Sequence, residues 1–372
     1  MEVEPWLRLL LAANPGSQRW LELLQSHGSA AAVVSLSRGA LAAAGVSRQA
    51  IDSLLEPDST RLDKWRAWLA QPNRALLGLD HDAYPPLLRT LPDPPLALWV
   101  EGSDLAYLNA PQLAIVGSRN PTRGGRDTAE LFARYLSERG LTITSGLASG
   151  IDTASHIGAL AGGAGTIAVL GSGLDTIYPA GNAGLARRIV NGGLIVSEFP
   201  PGTAPRAGHF PQRNRIIAGL CAGTLVVEAA RQSGSLITAR RAAEYGREVF
   251  AIPGSIHNPL AKGCHRLIRQ GAKLVDDAAD ILVELAPLLA IDTIAEREPR
   301  ESESLVASLT EQPAYATLIE ALGFEHTGIA TLAHRTGLTT EELSSMLLVL
   351  EFEGLVEALP GGRYARLSQR DS

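Results

Sequence analysis

The fold is decided by the stretch Leu113-Ala114-Ile115-Val116-Gly117-Ser118-Arg119. Four apolar residues lead into a glycine turn, and an amphipathic segment from Arg123 to Arg139 follows. An apolar run that passes through such a turn into a helix is typical of a buried parallel strand in an α/β protein. The stretch therefore predicts the first strand, turn and helix of an α/β domain.

The same pattern recurs along the next part of the chain. Further apolar runs occupy residues 141–144, 166–170, 194–196, 224–227 and 248–252, with helical segments between them. Repeated βα units predict a Rossmann-like, doubly wound and mostly parallel sheet. Ligands of such sheets bind beyond the carboxyl ends of the strands, so the turns after the strands hold the candidate site residues.

Four further segments are predicted around this α/β domain of residues 112–290. Residues 1–70 contain short helices preceded by serines, which resembles a small helical domain of the helix-hairpin-helix or sterile-alpha-motif kind. Residues 71–111 hold seven prolines and predict an extended connector. Residues 291–310 predict an acidic linker, and residues 311–372 predict a winged helix, with three helices and a hairpin.

The net charge of −6 conceals a basic middle region. Residues 111–275 carry 18 basic and 9 acidic side chains, a net charge of +9. Residues 301–372 carry 4 basic and 11 acidic side chains, a net charge of −7. Because a local field and not the total charge attracts a polyanion, nucleic acid is a possible partner of the α/β domain.

Several features predict a cytoplasmic protein without a membrane span. The two cysteines form no disulfide framework and no zinc-ligand pattern, so no metal is expected. The N-terminus is acidic, unlike a secretory signal. The longest uncharged stretch, residues 153–174, contains six glycines and reads as helix, turn and strand.

Glycine and serine dominate the turns after the first three strands of the α/β domain. These turns are Gly117-Ser118-Arg119, Ser145-Gly146 and Gly171-Ser172-Gly173. Exposed N–H groups and a following helix N-terminus can bind a phosphate, although each turn is equally well explained as a tight βα connection. A fourth anion-binding candidate is the segment from Ser233 to Ser235, where Ser235 is predicted to cap a helix.

Cations surround an aromatic ring in the segment Arg206-Ala207-Gly208-His209-Phe210-Pro211-Gln212-Arg213-Asn214-Arg215. A helix is predicted to begin at about Gln212. A phosphate-binding cation beside a stacking ring is the combination that single-stranded nucleic acid requires. Arg213 and Arg215 lie two residues apart and cannot share one helix face, so one of them is expected to make structural contacts. Taken alone, Phe210 could equally be a core residue.

Motifs of common cofactor and catalytic sites are absent from the sequence. No G-x-G-x-x-G opens the first helix of the α/β domain, and there is no G-x-x-x-x-G-K-[ST] or G-x-S-x-G. The sequence therefore predicts no cofactor and no catalytic residue. Glu228 ends a strand and leaves open an alternative, a nucleotide phosphoribohydrolase of the lysine-decarboxylase-like superfamily, although residues 220–224 match the P-G-G-x-G-T loop of such enzymes poorly.

The chain resembles the DNA-processing protein A family (DprA, also called Smf). The resemblance is carried, in order, by residues 115–119, 145–152, 171–175, 197–202, 210–215, 233–238 and 249–254. It implies a cytoplasmic, non-enzymatic protein that binds single-stranded DNA during natural transformation, protects it and loads the RecA recombinase. It also implies a homodimer formed through the Rossmann-like domain.

Residue roles follow from the resemblance. Gly117, Ser118 and Arg119 match the family's phosphate-binding turn, Gly171 to Gly173 match a second DNA-contacting loop, and Phe210 matches the base-stacking aromatic residue. The family often has a lysine just before that aromatic residue, where this chain offers Arg206 and His209. The candidate DNA-binding residues are Gly117, Ser118, Arg119, Ser145, Gly146, Gly171, Ser172, Gly173, Arg206, His209, Phe210, Arg213, Arg215, Ser233 and Ser235.

The third predicted helix of the winged helix, residues 340–353, has an unusual charge. It carries four glutamates and no lysine or arginine. Negative charge opposes entry into the phosphate-lined groove of a duplex. We therefore expect this helix to contact protein and not duplex DNA.

Overall fold

The computed structural model of the 372-residue chain describes residues 3–13, 17–289, 313–323, 326–352, 355–359 and 361–367. The chain divides into two compact units, Met1–Thr293 and Ile294–Ser372. The predicted acidic linker, residues 291–310, lies outside the described residues.

Six helices form the N-terminal part of the first unit. They are α1 (Val3–Ala12), α2 (Gln18–His27), α3 (Ala30–Val34), α4 (Arg38–Ala43), α5 (Arg48–Leu55) and α6 (Ser59–Leu69). The side chains of Ser29, Ser37, Ser47 and Asp58 accept hydrogen bonds from the first turns of α3, α4, α5 and α6, which fixes where these helices begin. The sequence did not predict α4 and α6. Trp65 and Trp68 of α6 pack edge-on against Trp99 of the sheet, so the helices and the sheet share a core.

The proline-rich stretch before the α/β units contributes two strands and a short helix. These are β1 (Arg74–Gly78), α7 (Pro86–Arg89) and β2 (Ala97–Gly102). Strand β1 pairs with β2, and β2 pairs with β6, both antiparallel. The stretch therefore extends the central sheet at one edge.

Seven parallel strands continue this nine-stranded sheet, in the order β1-β2-β6-β5-β4-β3-β7-β8-β9. They are β3 (Gln112–Val116), β4 (Thr142–Ser145), β5 (Thr166–Val169), β6 (Gly193–Ser197), β7 (Gly223–Val226), β8 (Glu248–Ala251) and β9 (Lys273–Leu274). Strands β3 to β7 are buried at every residue, as expected where helices cover both faces. The predicted α/β class is confirmed.

Helices follow the parallel strands and cover the two faces of the sheet. They are α8 (Arg123–Glu138), α9 (Ile151–Gly162), α10 (Ala183–Gly192), α11 (His209–Leu220), α12 (Ser235–Glu244), α13 (Lys262–Arg269) and α14 (Ala278–Leu289). Right-handed crossovers place α8 to α10 on one face and α11 to α13 on the other. The strand order reverses between β3 and β7, which have opposite crossovers on their two sides. This reversal creates a crevice at the carboxyl ends of β3 and β7.

The second unit is the predicted winged helix. Its helices are α15 (Pro313–Leu322), α16 (Ile329–Thr336) and α17 (Thr340–Phe352), and its strands are β10 (Thr327–Gly328), β11 (Val356–Leu359) and β12 (Arg363–Arg366). The strands form an antiparallel sheet in the order β10-β12-β11. Leu318, Leu332, Leu343 and Leu347 are fully buried and form the unit's own core.

Candidate functional site

A cleft of about 770 Å³ opens at the crevice between the ends of β3 and β7. We call it the rim cleft. Its lining comes from the turn after β3, the start of α9, the segment leading into α11 and the start of α12. It contains eight of the predicted site residues: Gly117, Ser118, Arg119, Arg206, Phe210, Arg213, Ser233 and Ser235.

Gly150 shapes the turn after β3 from behind. It has a φ of +84°, and a Cβ atom there would contact the carbonyl oxygen of Ser118 and lie 2.7 Å from that of Arg119. Only glycine combines this backbone conformation with such a close approach. The Ser118 carbonyl oxygen accepts a hydrogen bond from the Ile151 N–H at 3.1 Å, which ties the turn to the start of α9. The backbone of the turn is thereby fixed, and the Arg119 side chain is exposed.

An exposed cation and two aromatic rings lie together at the mouth of the cleft. The guanidinium carbon of Arg119 lies 5.6 Å from the ring centroid of Phe210. The ring of Tyr178 lies 5.6 Å from the same ring, inclined by 39°, and Tyr178 is 50% exposed. Arg206 is exposed nearby in the lining. We call Arg119, Tyr178, Arg206 and Phe210 the lip of the cleft.

Sequence reasoning missed Tyr178, Asn214 and Gln232, which also line the cleft. Tyr178 lies only a few residues beyond the glycine-rich turn 171–173. An aromatic residue so close to a candidate anion-binding turn is the sequence signal that could have identified Tyr178 as a site residue. Asn214 and Gln232 have no motif that distinguishes them, and only the convergence of α11 with the turn before α12 brings them into the lining.

The turn after β5 supports Phe210 from below and does not line the cleft. Gly171 lies under the ring, because a Cβ atom there would be 3.1 Å from Phe210 Cδ1. Gly171, Ser172 and Gly173 are buried, and Ser172 Oγ donates to the Thr176 carbonyl oxygen at 2.7 Å. The sequence predicts that this turn contacts DNA. In the structure the turn lies beneath the Phe210 ring and outside the lining of the cleft.

His209 also acts from below the lip. Its Nδ1 lies 3.1 Å from the Gly171 carbonyl oxygen, and its ring stacks on Phe199 at 4.2 Å. Helix α11 begins at His209, three residues before the predicted start. These contacts make His209 a support for Phe210, and Arg206 is the exposed cation on this segment.

Arg213 forms the floor of the cleft with Asp152. Arg213 is 4% exposed and donates to the Val169 carbonyl oxygen at 2.9 Å. A Cβ atom at Gly146 would collide with its guanidinium group, so glycine makes room for it. Burial lowers the pKa of Arg213 to about 10, although the Asp152 carboxylate opposes this shift.

Asp152 organises the turn after β4 around the same floor. Its Oδ2 accepts hydrogen bonds from the N–H groups of Gly146 at 3.1 Å and Ala148 at 3.3 Å. Burial raises the pKa of Asp152, while Arg213 and these N–H groups act against the rise. Ser145 Oγ donates to the Ile115 carbonyl oxygen at 2.7 Å. Ser145 and Gly146 therefore belong to the buried support of the cleft and not to its lining.

Arg215 lies outside the lining of the rim cleft and is 3% exposed. Its guanidinium group pairs with the Glu198 carboxylate, which is also buried, and Nε lies 3.6 Å from Asp93 Oδ2. One of the two arginines was expected to be structural, and both guanidinium groups are in fact buried. The geometry therefore gives no support to a DNA contact by Arg215.

We call the buried ionisable residues Asp152, His156, Glu198, Arg213 and Arg215 the buried layer; His156 contacts the amino end of β5, away from the rim. His156 is fully buried, and its Nδ1 lies 2.7 Å from Thr166 Oγ1. Thr166 Oγ1 donates its hydrogen to the Ile143 carbonyl oxygen, so it accepts from His156 Nδ1. Burial, with a smaller contribution from Arg213, lowers the pKa of His156 to about 3.

The start of α12 forms the opposite wall of the cleft. The prediction that Ser235 caps this helix is wrong: Ser235 is its first residue, and Gly234 occupies the N-cap without a side-chain hydrogen bond. Ser233 Oγ instead accepts from the Ser235 N–H at 3.3 Å and lies 2.7 Å from Ser235 Oγ. Both hydroxyl groups thus lie at the positive end of the helix dipole.

Glu228 is occupied by structural contacts. Its two carboxylate oxygens accept hydrogen bonds from the N–H and Oγ1 of Thr122, at 2.8 and 2.7 Å. Thr122 in turn caps α8 through the Gly125 N–H. Glu228 is not part of the rim cleft lining, so its geometry does not favour the phosphoribohydrolase alternative.

Two known sequence families match the chain, one in each of its two units. The family described as DNA recombination-mediator protein A matches residues 75–286. The chain belongs to this family. The DprA winged helix domain matches residues 298–362.

Curated proteins of the DprA/Smf family match over much of their length. The chain is 46% identical to Protein Smf of Escherichia coli (strain K12) over 304 residues, which cover 81% of this chain and 79% of that protein. It is 51% identical to DNA processing protein DprA of Streptococcus pneumoniae over 203 residues, which cover 55% of this chain and 71% of that protein.

Two solved structures of the family are similar to this one. DNA processing protein A from Streptococcus pneumoniae is 40% identical with a TM-score of 0.67, covering 74% of this chain and 95% of that chain. DNA processing protein A from Helicobacter pylori, whose structure describes a single-stranded DNA binding mode, is 31% identical with a TM-score of 0.51. That match covers 55% of this chain and 93% of the other.

Two kinds of feature are absent from the described residues. No described helix combines the length and the apolar character needed to cross a bilayer. The described side chains of histidine, cysteine, aspartate and glutamate form no group of three or more that could hold a metal ion.

Proposed function

We propose that this chain binds single-stranded DNA at the rim cleft without sequence preference. The observation that carries the proposal is the position of the exposed Arg119 guanidinium group 5.6 Å from the Phe210 ring, with Tyr178 beside it. A base can stack on an aromatic face whatever its identity, and a guanidinium group fits the oxygens of a phosphate. The binding mode described for the Helicobacter pylori protein, a member of the same family, supports the proposal.

The other lining residues would bind the sugar-phosphate backbone. Two parts of the lining face each other across the cleft. One is the turn Gly117-Ser118-Arg119 with its N–H groups, and the other is the N-terminus of α12 with the hydroxyl groups of Ser233 and Ser235. Backbone N–H groups and a helix N-terminus both favour an anion. Arg206 adds a second exposed cation to the lip.

We further propose that the bound strand is protected and transferred to the RecA recombinase, in natural transformation or in repair. The description of the family as recombination mediators supports this role. It requires a cytoplasmic location, where RecA and the incoming strand meet. We also propose homodimerisation through the Rossmann-like unit, to which Leu274, 50% exposed at the edge of the sheet, offers an apolar contact.

We propose that this activity involves no catalysis. Glu228, the carboxylate on which the phosphoribohydrolase alternative depends, is held by Thr122. The carboxylate that does lie in the cleft lining, that of Asp152, accepts two backbone hydrogen bonds at the floor. A base released from a nucleoside monophosphate by the purified protein would contradict this part of the proposal.

We propose a protein-binding role for α17 of the winged helix. Its described residues include the exposed Glu341, Glu342 and Glu351, and no lysine or arginine. Leu348 on the same helix is 66% exposed and would add an apolar contact to such an interface. Measurable affinity of residues 305–372 for duplex DNA would contradict this role.

A salt titration with single-stranded and duplex DNA tests the main proposal. Fluorescence anisotropy of labelled oligothymidylate and of a duplex of equal length would be measured with the full chain. We expect tighter binding of the single strand, and an affinity that falls linearly with salt on logarithmic axes, because phosphate binding releases counterions. Equal affinity for the two forms, or binding that salt does not weaken, would contradict the proposal.

A further inference from the structure

A second cleft, of about 790 Å³, lies beside the rim cleft. We call it the interhelical cleft, because its walls come from α12 and α13. One end is formed by the turn before α12, and the other by the start of β8 and the end of α13. The cleft therefore runs along α12, whose ten residues span about 15 Å.

The two clefts meet at the turn that precedes α12. Gln232, Ser233, Gly234 and Ile237 line both of them. A polymer that leaves the rim cleft at Ser233 therefore reaches the interhelical cleft directly. No other contact surface needs to intervene between the two.

Three arginines in the interhelical cleft are available to bind anions. Arg231, Arg240 and Arg266 are exposed, and none of them forms an ion pair with another described residue. The acidic side chain in the lining, Glu248, lies 3.5 Å from Lys273 and is partly neutralised by it. The cleft therefore carries a net positive charge.

A fourth arginine of the lining is held in place by structural contacts. Arg247 donates to the Leu87 carbonyl oxygen at 3.3 Å and to Thr90 Oγ1 at 3.4 Å. It contributes charge but is tied to the segment around α7. Any ligand contact therefore depends mainly on the three exposed arginines.

The distribution of the arginines indicates a polymer and not a small anion. Arg231 lies before α12, Arg240 lies beyond its midpoint, and Arg266 projects from α13. Cations spread along a groove match a chain of phosphates, whereas a single phosphate is bound by groups that converge on one point. The lining contains aliphatic Leu236, Ile237 and Leu267 and no aromatic ring, so the groove offers phosphate binding without base stacking.

We propose that single-stranded DNA leaves the rim cleft past the N-terminus of α12 and continues through the interhelical cleft, where Arg231, Arg240 and Arg266 bind its phosphates. This inference rests on the proposed function of the rim cleft. It assigns different contacts to the two clefts: bases stack at the lip of the rim cleft, and the interhelical cleft binds the next nucleotides by their phosphates alone.

The double variant Arg240→Ala/Arg266→Ala tests the path. Anisotropy would be measured with a short oligothymidylate of about six nucleotides and a long one of about twenty, which lie near the lower end and beyond the upper end of typical single-strand site sizes of about 4–16 nucleotides. We expect the variant to bind the long strand about tenfold more weakly. The slope of its salt dependence should fall by about 1.4, because each lost phosphate contact on single strands removes about 0.7. Binding of the short strand should not change.

Two matched variants separate a specific path from general charge. Arg187→Ala/Arg188→Ala removes the same charge from exposed positions on α10, which line neither cleft. It should leave both affinities unchanged. Arg240→Lys/Arg266→Lys keeps the charge and should retain most of the affinity and the salt slope for the long strand.

The outcomes distinguish failure of the path from failure of the proposed function. An unchanged affinity of the Arg240→Ala/Arg266→Ala variant for the long strand overturns the path, as does an equal loss for both lengths or the same loss in the α10 control. In each of these cases the wild-type protein still binds single strands. If the wild-type protein binds neither length, the proposed function fails and the path fails with it.

Discussion

The lip of the rim cleft and the buried layer beneath it use the same residue type for opposite purposes. Arg119 and Arg206 on the lip are exposed, and Arg119 faces an aromatic ring. Arg213 and Arg215, within ten residues of Arg206, are 4% and 3% exposed and bind protein groups. A basic motif in the sequence is thus divided between ligand binding and support of the backbone that forms the cleft.

This difference has a physical cause. An exposed guanidinium group remains hydrated and can exchange water for a phosphate at little cost, whereas a buried one must have its charge compensated within the protein. Substitutions on the lip should therefore reduce binding and spare stability, and substitutions in the buried layer should do the reverse. Four predictions test this division.

The largest effect is expected from Arg215→Ala. The substitution removes the guanidinium group that pairs with the buried Glu198 carboxylate. Loss of one partner of a buried ion pair costs about 3–5 kcal/mol of unfolding free energy, which denaturant titration would measure. Arg206→Ala is the control on an exposed arginine of the same segment and should change stability by less than about 0.5 kcal/mol. Similar stabilities of the two variants would show that Arg215 does not stabilise the fold more than an exposed arginine does.

Phe210→Ala should reduce single-strand affinity most strongly among the lip variants. Removal of a stacking ring costs about 1–3 kcal/mol per base, or roughly 5- to 150-fold in Kd. Phe210→Tyr keeps the aromatic face and should bind within a few-fold of the wild type. Wild-type affinity of Phe210→Ala, measured by anisotropy, would remove Phe210 from the interface.

The buried layer should also make stability depend on pH through His156. Its folded-state pKa of about 3 lies below the ordinary value of 6.5, so the unfolded chain binds more protons between these values. Stability should therefore fall as the pH decreases from about 6.5, by up to about 1.4 kcal/mol per pH unit. Asp152, with a raised pKa, acts in the opposite direction at lower pH, so denaturant unfolding would be compared between pH of about 6.5 and 5.

His156→Gln is the variant that isolates this effect. It removes the titrating group, so the dependence of unfolding free energy on pH should become shallower over the same interval. Binding at the lip should not follow this pH dependence while the protein remains folded. An equally steep dependence in His156→Gln would assign the effect to other groups.

The smallest effect is expected from Arg119→Ala. The side chain is exposed, so stability should remain within about 0.5 kcal/mol of the wild type. The loss of one phosphate contact should lower the slope of the salt dependence by about 0.7 and the affinity by up to about fivefold. Arg187→Ala on α10 removes the same charge away from the cleft and should leave the slope unchanged. A stability loss larger than the loss in binding would place Arg119 with the buried layer.

The order of the βα units and the turn residues could be predicted from local patterns. The apolar run 113–116 and the later runs are each long enough to mark a strand, and glycine and serine mark the turns. The apolar run that ends at Gly102 predicts β2, whereas β1 has no comparable run, and the pairing of β2 with the distant β6 has no local signal. Helix α6 was missed although Asp58 caps it, because its tryptophans face a core that only the sheet completes.

The sequence predicted the chemistry of the candidate site better than it predicted which residues form the site. The cation and aromatic residue of segment 206–215 and the turn 117–119 were evident from residue chemistry. The burial of Gly171, Ser172, Gly173 and Arg215 and the half-buried position of His209 were not, because burial depends on neighbours from other strands. Tyr178 joined the lip through its contact with Phe210, which no spacing in the sequence encodes.

Local patterns in the sequence are enough to predict the α/β class, the winged helix and the positive charge of residues 111–275, since hydrophobic period, turn residues and charge are local properties. The tertiary structure decided which arginines face solvent, which glycines support an aromatic ring, and how the rim cleft joins the interhelical cleft at α12. These features depend on the reversal of strand order between β3 and β7, which brings segments more than one hundred residues apart to one edge of the sheet.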